Sequence, residues 1–215
     1  MKNILGKLLV FVTTAVCLLI VSSNVAAKRT TAVQSSSSNT VLYDGTAGGT
    51  PGTQNWLAYV VVGAATQAEV GGVTTLNTTL AGNGTYAGYP NNAAPNFGSY
   101  PAMNRQDGYE LKFTVQLVTE IHANNDRAGF SVIMLGDDLE GIELGFWPNE
   151  IWAQHDDSSG SMFTHAEGVT FDTTAALTNY RLAFLNDSYT LYADDIPILT
   201  GLLRNYTNHI GPIDP

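Results

Sequence analysis

The sequence predicts an all-β fold in which two antiparallel sheets pack face to face as a sandwich. Three observations predict it. Short runs of Val, Ile, Leu, Phe and Tyr recur between clusters of Gly, Asn and Asp, the punctuation of strands and turns. Tyr109 to His122 alternates apolar and polar residues with period two, the mark of a strand with one face on a core and one in water. No stretch carries the periodicity of an amphipathic helix of useful length, and the 21 glycines mark turns without forming a repeat. Long antiparallel strands with one wet face and many short turns are satisfied by two stacked sheets.

The chain opens with the tripartite form of an export signal. Lys2 and Lys7 give a positive start, Leu8 to Val21 is apolar except for Thr13 and Thr14, and Val25-Ala26-Ala27 offers the small residues a signal peptidase reads. Residues 1–27 are therefore expected to be removed before Lys28. The apolar run is short of the roughly 20 residues of a spanning helix, so no membrane association is expected after cleavage. Cys17, the only cysteine, lies inside the run, preceded by Val16 and followed by more apolar residues, which does not suit lipidation. The mature chain is then expected to be secreted or held at the cell surface, without disulfide or thiol chemistry. Two of the nine Lys and Arg leave with the signal, so seven oppose 19 Asp and Glu, a net charge of −12. Nucleic acid and anionic membranes, which need positive charge to displace their counterions, are excluded as partners.

Residues 28–40 are rich in Ser and Thr and read as a linker. Residues 41–206 form the sandwich, and 207–215, with two prolines and a glycine, an irregular tail. Trp56 to Val62 and Val73 to Leu80 are expected strands, and the Gly, Pro and Asn-rich stretch Gly82 to Pro101 an exposed loop. In Tyr109 to His122, the positions Tyr109, Leu111, Phe113, Val115, Leu117 and Ile121 point one way. Glu110, Lys112, Thr114, Gln116, Glu120 and His122 point the other, with Val118 and Thr119 breaking the pattern and His122 facing water. Arg127 to Leu135 buries Ala128, Phe130, Val132 and Met134. Tyr180 to Leu185 and Tyr189 to Ala193 flank Asn186-Asp187-Ser188 as a hairpin, and Asp194-Asp195 turns the chain into Ile196 to Leu199.

Gly141 to His155, GIELGFWPNEIWAQH, is the most informative segment. Pro148-Asn149 is a turn signal between two strand-like runs. Symmetric pairing about it sets Trp147 opposite Glu150, Gly145 opposite Trp152 and Glu143 opposite Gln154. One face then carries Glu143, Trp147, Glu150, Trp152 and Gln154, and the other carries Ile142, Leu144, Phe146, Ile151 and Ala153, a core face. Indoles flanked by carboxylates and an amide suit a sugar, whose apolar ring face stacks on indole while its hydroxyls take directional hydrogen bonds. The bland alternative is that both tryptophans pack under a covering loop, with Gly82 to Pro101 as a candidate cover. Paired carboxylates also point to glycoside hydrolysis, with Glu143 and Glu150 as the catalytic candidates.

Other polar features are weaker. His122, His155, His165 and His209 show no metal-ligand spacing. Asp156-Asp157 in HDDSSGS is a Ca²⁺ candidate set against the commoner reading of solvated turn acids, which also covers Asp137-Asp138 and Asp194-Asp195.

The segments NDRAGFSVIMLGDDLEGIELGFWPNEIWAQ and TTAALTNYRLAFLNDSYTLYADDIPILTGLLRNY resemble concanavalin A-like, laminin-G-like jelly rolls of exported bacterial proteins. The resemblance covers roughly Val41 to Tyr206. It implies a jelly-roll topology and a concave sheet that meets carbohydrate, which would put Glu143, Trp147, Glu150 and Trp152 on the binding side. Some such domains carry a C-terminal surface-sorting tag, which this sequence does not show; the tight acidic catalytic motif of the glucanase branch is not matched either. Three functions stay open: a carbohydrate-binding module, a glycoside hydrolase or polysaccharide lyase, and a structural surface protein with no small ligand. The jelly rolls that the chain resembles close with a further strand, and the tail is poor strand material, so either a truncated domain or one that borrows a strand by self-association at an open sheet edge is expected.

Overall fold

A computed structural model describes residues 8–12, 15–20, 39–54, 56, 59–60, 65–78, 87–90, 101, 103–122, 124–125, 129–155 and 164–207. Among them the strands are β1 (Leu8–Val12), β2 (Ala15–Ile20), β3 (Tyr59–Val60), β4 (Thr66–Val70), β5 (Val73–Asn77), β6 (Ala87–Gly88), β7 (Tyr109–Glu120) and β8 (Phe130–Leu135). There follow β9 (Glu140–Trp147), β10 (Glu150–Gln154), β11 (His165–Thr170), β12 (Thr178–Leu185), β13 (Ser188–Ala193), β14 (Ile196–Leu202) and β15 (Arg204–Asn205). Every pairing is antiparallel. One sheet runs β11-β10-β9-β8-β1-β6-β3, with β15 beside the start of β9; the other runs β14-β13-β12-β7-β2-β5-β4. Both sheets are open, not closed into a barrel.

The core lies where alternating side chains of the two sheets meet. Phe113 of β7 and Tyr180 of β12 stack with ring centres 5.4 Å apart, and Phe146 of β9 meets Tyr180 edge-on at 5.4 Å and 80°. Leu111, Val115, Leu117, Leu182 and Leu191 from one sheet pack in the same cluster as Val132, Met134, Ile142, Leu144 and Ile151 from the other. Burying side chains of this size is worth roughly 1.5–3 kcal/mol each, the main force available to a chain with no disulfide.

Two turns follow from their residues. Gly71 and Gly72, at φ 63° and 86°, join β4 to β5 with Val70 opposite Val73. Asp194 and Asp195, at φ 46° and 67°, join β13 to β14 with Ala193 opposite Ile196. Positive φ at both central residues lets a two-residue turn match the twist of its strands, and Gly and Asp tolerate it. At the β12–β13 turn, Arg105 takes the Asn186 N–H on its carbonyl at 2.8 Å and pairs with Asp187 and, at 2.6 Å, with Asp138. Strand β14 lies at a sheet margin, contains Pro197, and meets β13 with a shift of register between Leu191 and Tyr192.

Several expectations need correction. Beyond the Val118-Thr119 break the faces of β7 exchange: Glu120 is buried, while Val118 and Ile121 are exposed, Ile121 by 77%. The break shifts the alternation by one residue, which turns every later side chain to the other face. Gly82 to Pro101 is not wholly an exposed loop, because Ala87-Gly88 pairs in a sheet interior and Tyr89 and Pro90 are buried. Strands β4 and β11 were not expected; β14 runs on to Leu202, and Arg204-Asn205 pairs with Gly141 and Glu140. Residues 8–12 and 15–20 pair as interior strands, and the export reading of residues 1–27 stays an expectation. Ala128, Asp156, Asp157 and the tail beyond Thr207 lie outside the described residues.

Candidate functional site

The β9–β10 hairpin has the register its sequence implies. Trp147 faces Glu150, Phe146 faces Ile151, Gly145 faces Trp152 and Leu144 faces Ala153, so Pro148-Asn149 is a two-residue loop. Neither loop residue has positive φ, unlike the favoured short hairpin turns. The loop is instead held from outside. Thr173 donates its N–H to the Pro148 carbonyl at 3.2 Å and its hydroxyl to the Trp147 carbonyl at 2.7 Å, and the Phe171 N–H reaches the Asn149 carbonyl at 3.1 Å.

The alternation divides the hairpin as expected. Ile142, Leu144, Phe146, Ile151 and Ala153 belong to the core cluster. Glu143, Trp147, Glu150, Trp152 and Gln154 occupy the opposite face, joined by His165, which pairs with Gln154 across β10 and β11. This face is not an open aromatic patch. Trp147 is 8% exposed and Trp152 3%, and Glu143 and Gln154 are buried too. Their covers include two histidines. His122, just past the end of β7, stacks on Trp147 at 4.0 Å and 9°, a correction to the expectation that it faces water. His165 stacks on Trp152 at 4.7 Å and 24° and touches Trp147 at 5.2 Å; the two indoles are 5.6 Å apart.

Each imidazole is tied to a carboxylate. His165 Nε2 lies 3.0 Å from Glu150 Oε1, and His122 Nδ1 lies 3.0 Å from both carboxylate oxygens of Glu120. The Glu120 side chain is 1% exposed, and burial pushes its carboxyl above the ordinary carboxylate range, while His122 pulls it back. Gly129 makes room for it: a Cβ there would stand 1.5 Å from Glu120 Cγ. Gly168 does the same opposite Trp152, where a Cβ would fall 2.2 Å from Glu150 Oε1 and 3.2 Å from Trp152 Cβ. The Trp152 Nε1–H is buried and has no hydrogen-bond partner among the described residues. A buried donor left unpaired costs about 1–3 kcal/mol, so native structures seldom keep one without use.

The same sheet is pinned at its far side by Arg204. Its guanidinium donates to the Gln154 carbonyl at 2.8 Å, to Glu167 at 2.7 Å and to the Leu202 carbonyl, and Glu167 also accepts the Tyr189 hydroxyl at 2.8 Å. Burial, together with the Glu167 carboxylate, raises the Tyr189 phenol, so it stays a donor.

The two catalytic candidates sit on paired strands and are offset along the strand direction. Glu150 pairs with Trp147, four residues along β9 from Glu143. At about 3.3 Å per residue their backbones lie roughly 13 Å apart along the strand direction. Glycosidase carboxyls stand about 5–5.5 Å apart for retention and about 6.5–9.5 Å for inversion. No group of three metal-ligating side chains forms among the described residues. The sequence did not single out Glu120, His165 or the capping role of His122; histidines beyond obvious strands carry no pattern that points to an indole.

Fold and site together define an antiparallel β-sandwich with a buried indole–imidazole–carboxylate cluster on the side of one sheet away from the core. No family model matches the chain, and neither a curated protein nor a solved structure matches it.

Proposed function

We propose that the protein is an exported carbohydrate-binding module of the jelly-roll type, directed outside the cell by residues 1–27, with its ligand site at the Trp147–Trp152 cluster. The observation that carries the reading is the buried Trp152 Nε1–H, which has no hydrogen-bond partner among the described residues and lies on the face that also carries Trp147, Glu143, Glu150 and Gln154. A sugar hydroxyl would accept that N–H, its neighbours would donate to the carboxylates, and its apolar ring face would take the place of an imidazole on an indole. Entry requires His165 to swing off Trp152, and its contact with Glu150 is partly open to solvent. The resemblance to concanavalin A-like sandwiches supports the same side of the molecule, and the net acidity of the chain suits a neutral or cationic glycan.

Trp152→Phe is the sharpest test because it removes the N–H while keeping an aromatic ring. On a glycan array the parent chain should retain at least one class of polysaccharide, and Trp152→Phe should bind it about tenfold more weakly, the scale of one lost hydrogen bond. Binding unchanged in Trp152→Phe moves the site elsewhere. Binding to no glycan at all favours a structural surface protein.

A further inference from the structure

We propose that the group recognised by the Trp147–Trp152 cluster is a protonated amine, carried by an amino-sugar polymer and seated where the His165 ring lies. The inference rests on the carbohydrate reading of this face and narrows it to cationic sugars.

The place of the His165 ring has the walls of a cation seat. Its centre stands 4.7 Å from the Trp152 ring centre and 5.2 Å from that of Trp147. A cation within about 6 Å of an indole centre is attracted by the ring's negative face, and here two indoles are in reach. Glu150 closes a third side, its Oε1 3.0 Å from His165 Nε2. The hairpin sets these walls. Trp147 faces Glu150 across β9 and β10, and Trp152 follows two residues on, on the same face. On β11, Gly168 stands opposite Trp152, where a side chain would collide with Glu150 Oε1 at 2.2 Å.

The charge around the seat has one sign. Besides the two histidines, the titratable groups that β7, β9 and β10 bring to the cluster are Glu120, Glu143 and Glu150, all carboxyls. Arg204, which donates to the Gln154 carbonyl, is itself held by Glu167 at 2.7 Å. A partly closed site lined by carboxyls and indoles favours a cation over a neutral or acidic group.

Two further atoms select a sugar amine over a lysine side chain. Trp152 Nε1–H and Thr164 Oγ1 are buried and have no hydrogen-bond partner among the described residues. One belongs to the indole under the imidazole, the other to the residue before His165. An alkylammonium chain has no oxygen to offer them, whereas an amino sugar carries hydroxyls beside its amine. The imidazole is also placed to leave. His165 begins the margin strand β11, whose pairing with β10 is irregular between Trp152 and Gln154, and its side chain is 25% exposed.

Calorimetry on the full chain separates this inference from the reading beneath it. In mildly acidic, low-salt buffer the glucosamine hexamer should bind at least about tenfold more tightly than the N-acetylglucosamine and glucose hexamers, which keep the ring without the charge. Hexalysine, with the charge but no hydroxyls, should bind at least about tenfold more weakly than the glucosamine hexamer. Glu150→Gln should abolish most of the preference for the free amine. His165→Ala, which empties the seat, should tighten the glucosamine hexamer. Equal binding of charged and neutral sugars, all weakened in Trp152→Phe, leaves the carbohydrate site standing and sinks the cationic one. A preference kept in full by Glu150→Gln, hexalysine bound as tightly as the sugar, or weaker binding in His165→Ala also overturns it. Binding of none of the sugars overturns it as well, while the glycan array decides the broader reading separately.

Discussion

Strands β12 and β13 bury every second residue and leave the rest at least partly in water, whereas β9 and β10 are buried on both faces over nearly their whole length. On the first pair the outward groups are arranged loosely. Arg181 lies over the Tyr192 ring at 3.5 Å and reaches Glu110 at 2.8 Å, contacts that water can replace. On the second pair water cannot replace a lost partner. Each polar group facing away from the core must be bonded inside the protein, and the Trp152 N–H stands out because it has no partner among the described residues. A wet face tolerates what a dry face has to account for, and the dry face is therefore where chemistry can be read.

The contrast can be broken by mutation. Trp147→Ala should destabilise the fold by about 3–5 kcal/mol, because its indole is buried against His122, Trp152 and His165. Tyr192→Ala, at the matching outward position of the wet sheet, should cost about 1 kcal/mol or less. Equal costs in urea denaturation would erase the distinction. Since Trp147 is this buried, its alanine variant cannot separate binding from folding.

Arg204→Met tests how firmly the dry sheet is pinned. It removes the donor to Gln154 and leaves the Glu167 carboxylate without its cation. Glu167 is 34% exposed and can be rehydrated, so the expected loss is about 2 kcal/mol, below that of breaking a fully buried pair. A neutral result would mean that β15 is held by its pairing with β9 alone.

The smallest effect belongs to His122→Phe, which keeps a ring on Trp147 and removes the contact with Glu120. The folded state raises the Glu120 carboxyl above its unfolded value, so it binds the proton more tightly than the unfolded chain does. The stability associated with that proton is full below the unfolded value and falls as pH rises through the folded one. Losing His122 removes what pulls the value down, so the fall should extend to higher pH. Carboxyl chemical shifts of Glu120, followed from about pH 4 to pH 8, should show its midpoint rise in the variant. A midpoint that falls would show that His122 does not favour the charged form.

What the sequence revealed and what it hid divide along physical lines. The β9–β10 register was legible because Pro148-Asn149 fixes the turn and the apolar set Ile142, Leu144, Phe146 and Ile151 leaves one way to bury it. The β12–β13–β14 meander was legible for the same reason, its turns written in Asn186-Asp187 and Asp194-Asp195. The burial of Glu120 was not, since nothing local shows that Val118-Thr119 shifts the pattern or that Gly129 clears space beside it. The histidine caps depend on chain crossings that bring residues 122 and 165 to the same two indoles, a tertiary fact with no local trace.

The margin formed by β14 bears on solubility. Ile196 and Leu202 are exposed there by 66% and 67%, apolar bait on a strand with one side unpaired among the described residues. Pro197 interrupts it with a residue that has no N–H to offer, and the slip of register at Leu191 and Tyr192 bends the ribbon out of line. A growing cross-β stack needs a straight, unbroken row of donors and acceptors. At this flank Pro197 cuts the row one residue in, a single imino acid at the place where other sheet edges carry lysines.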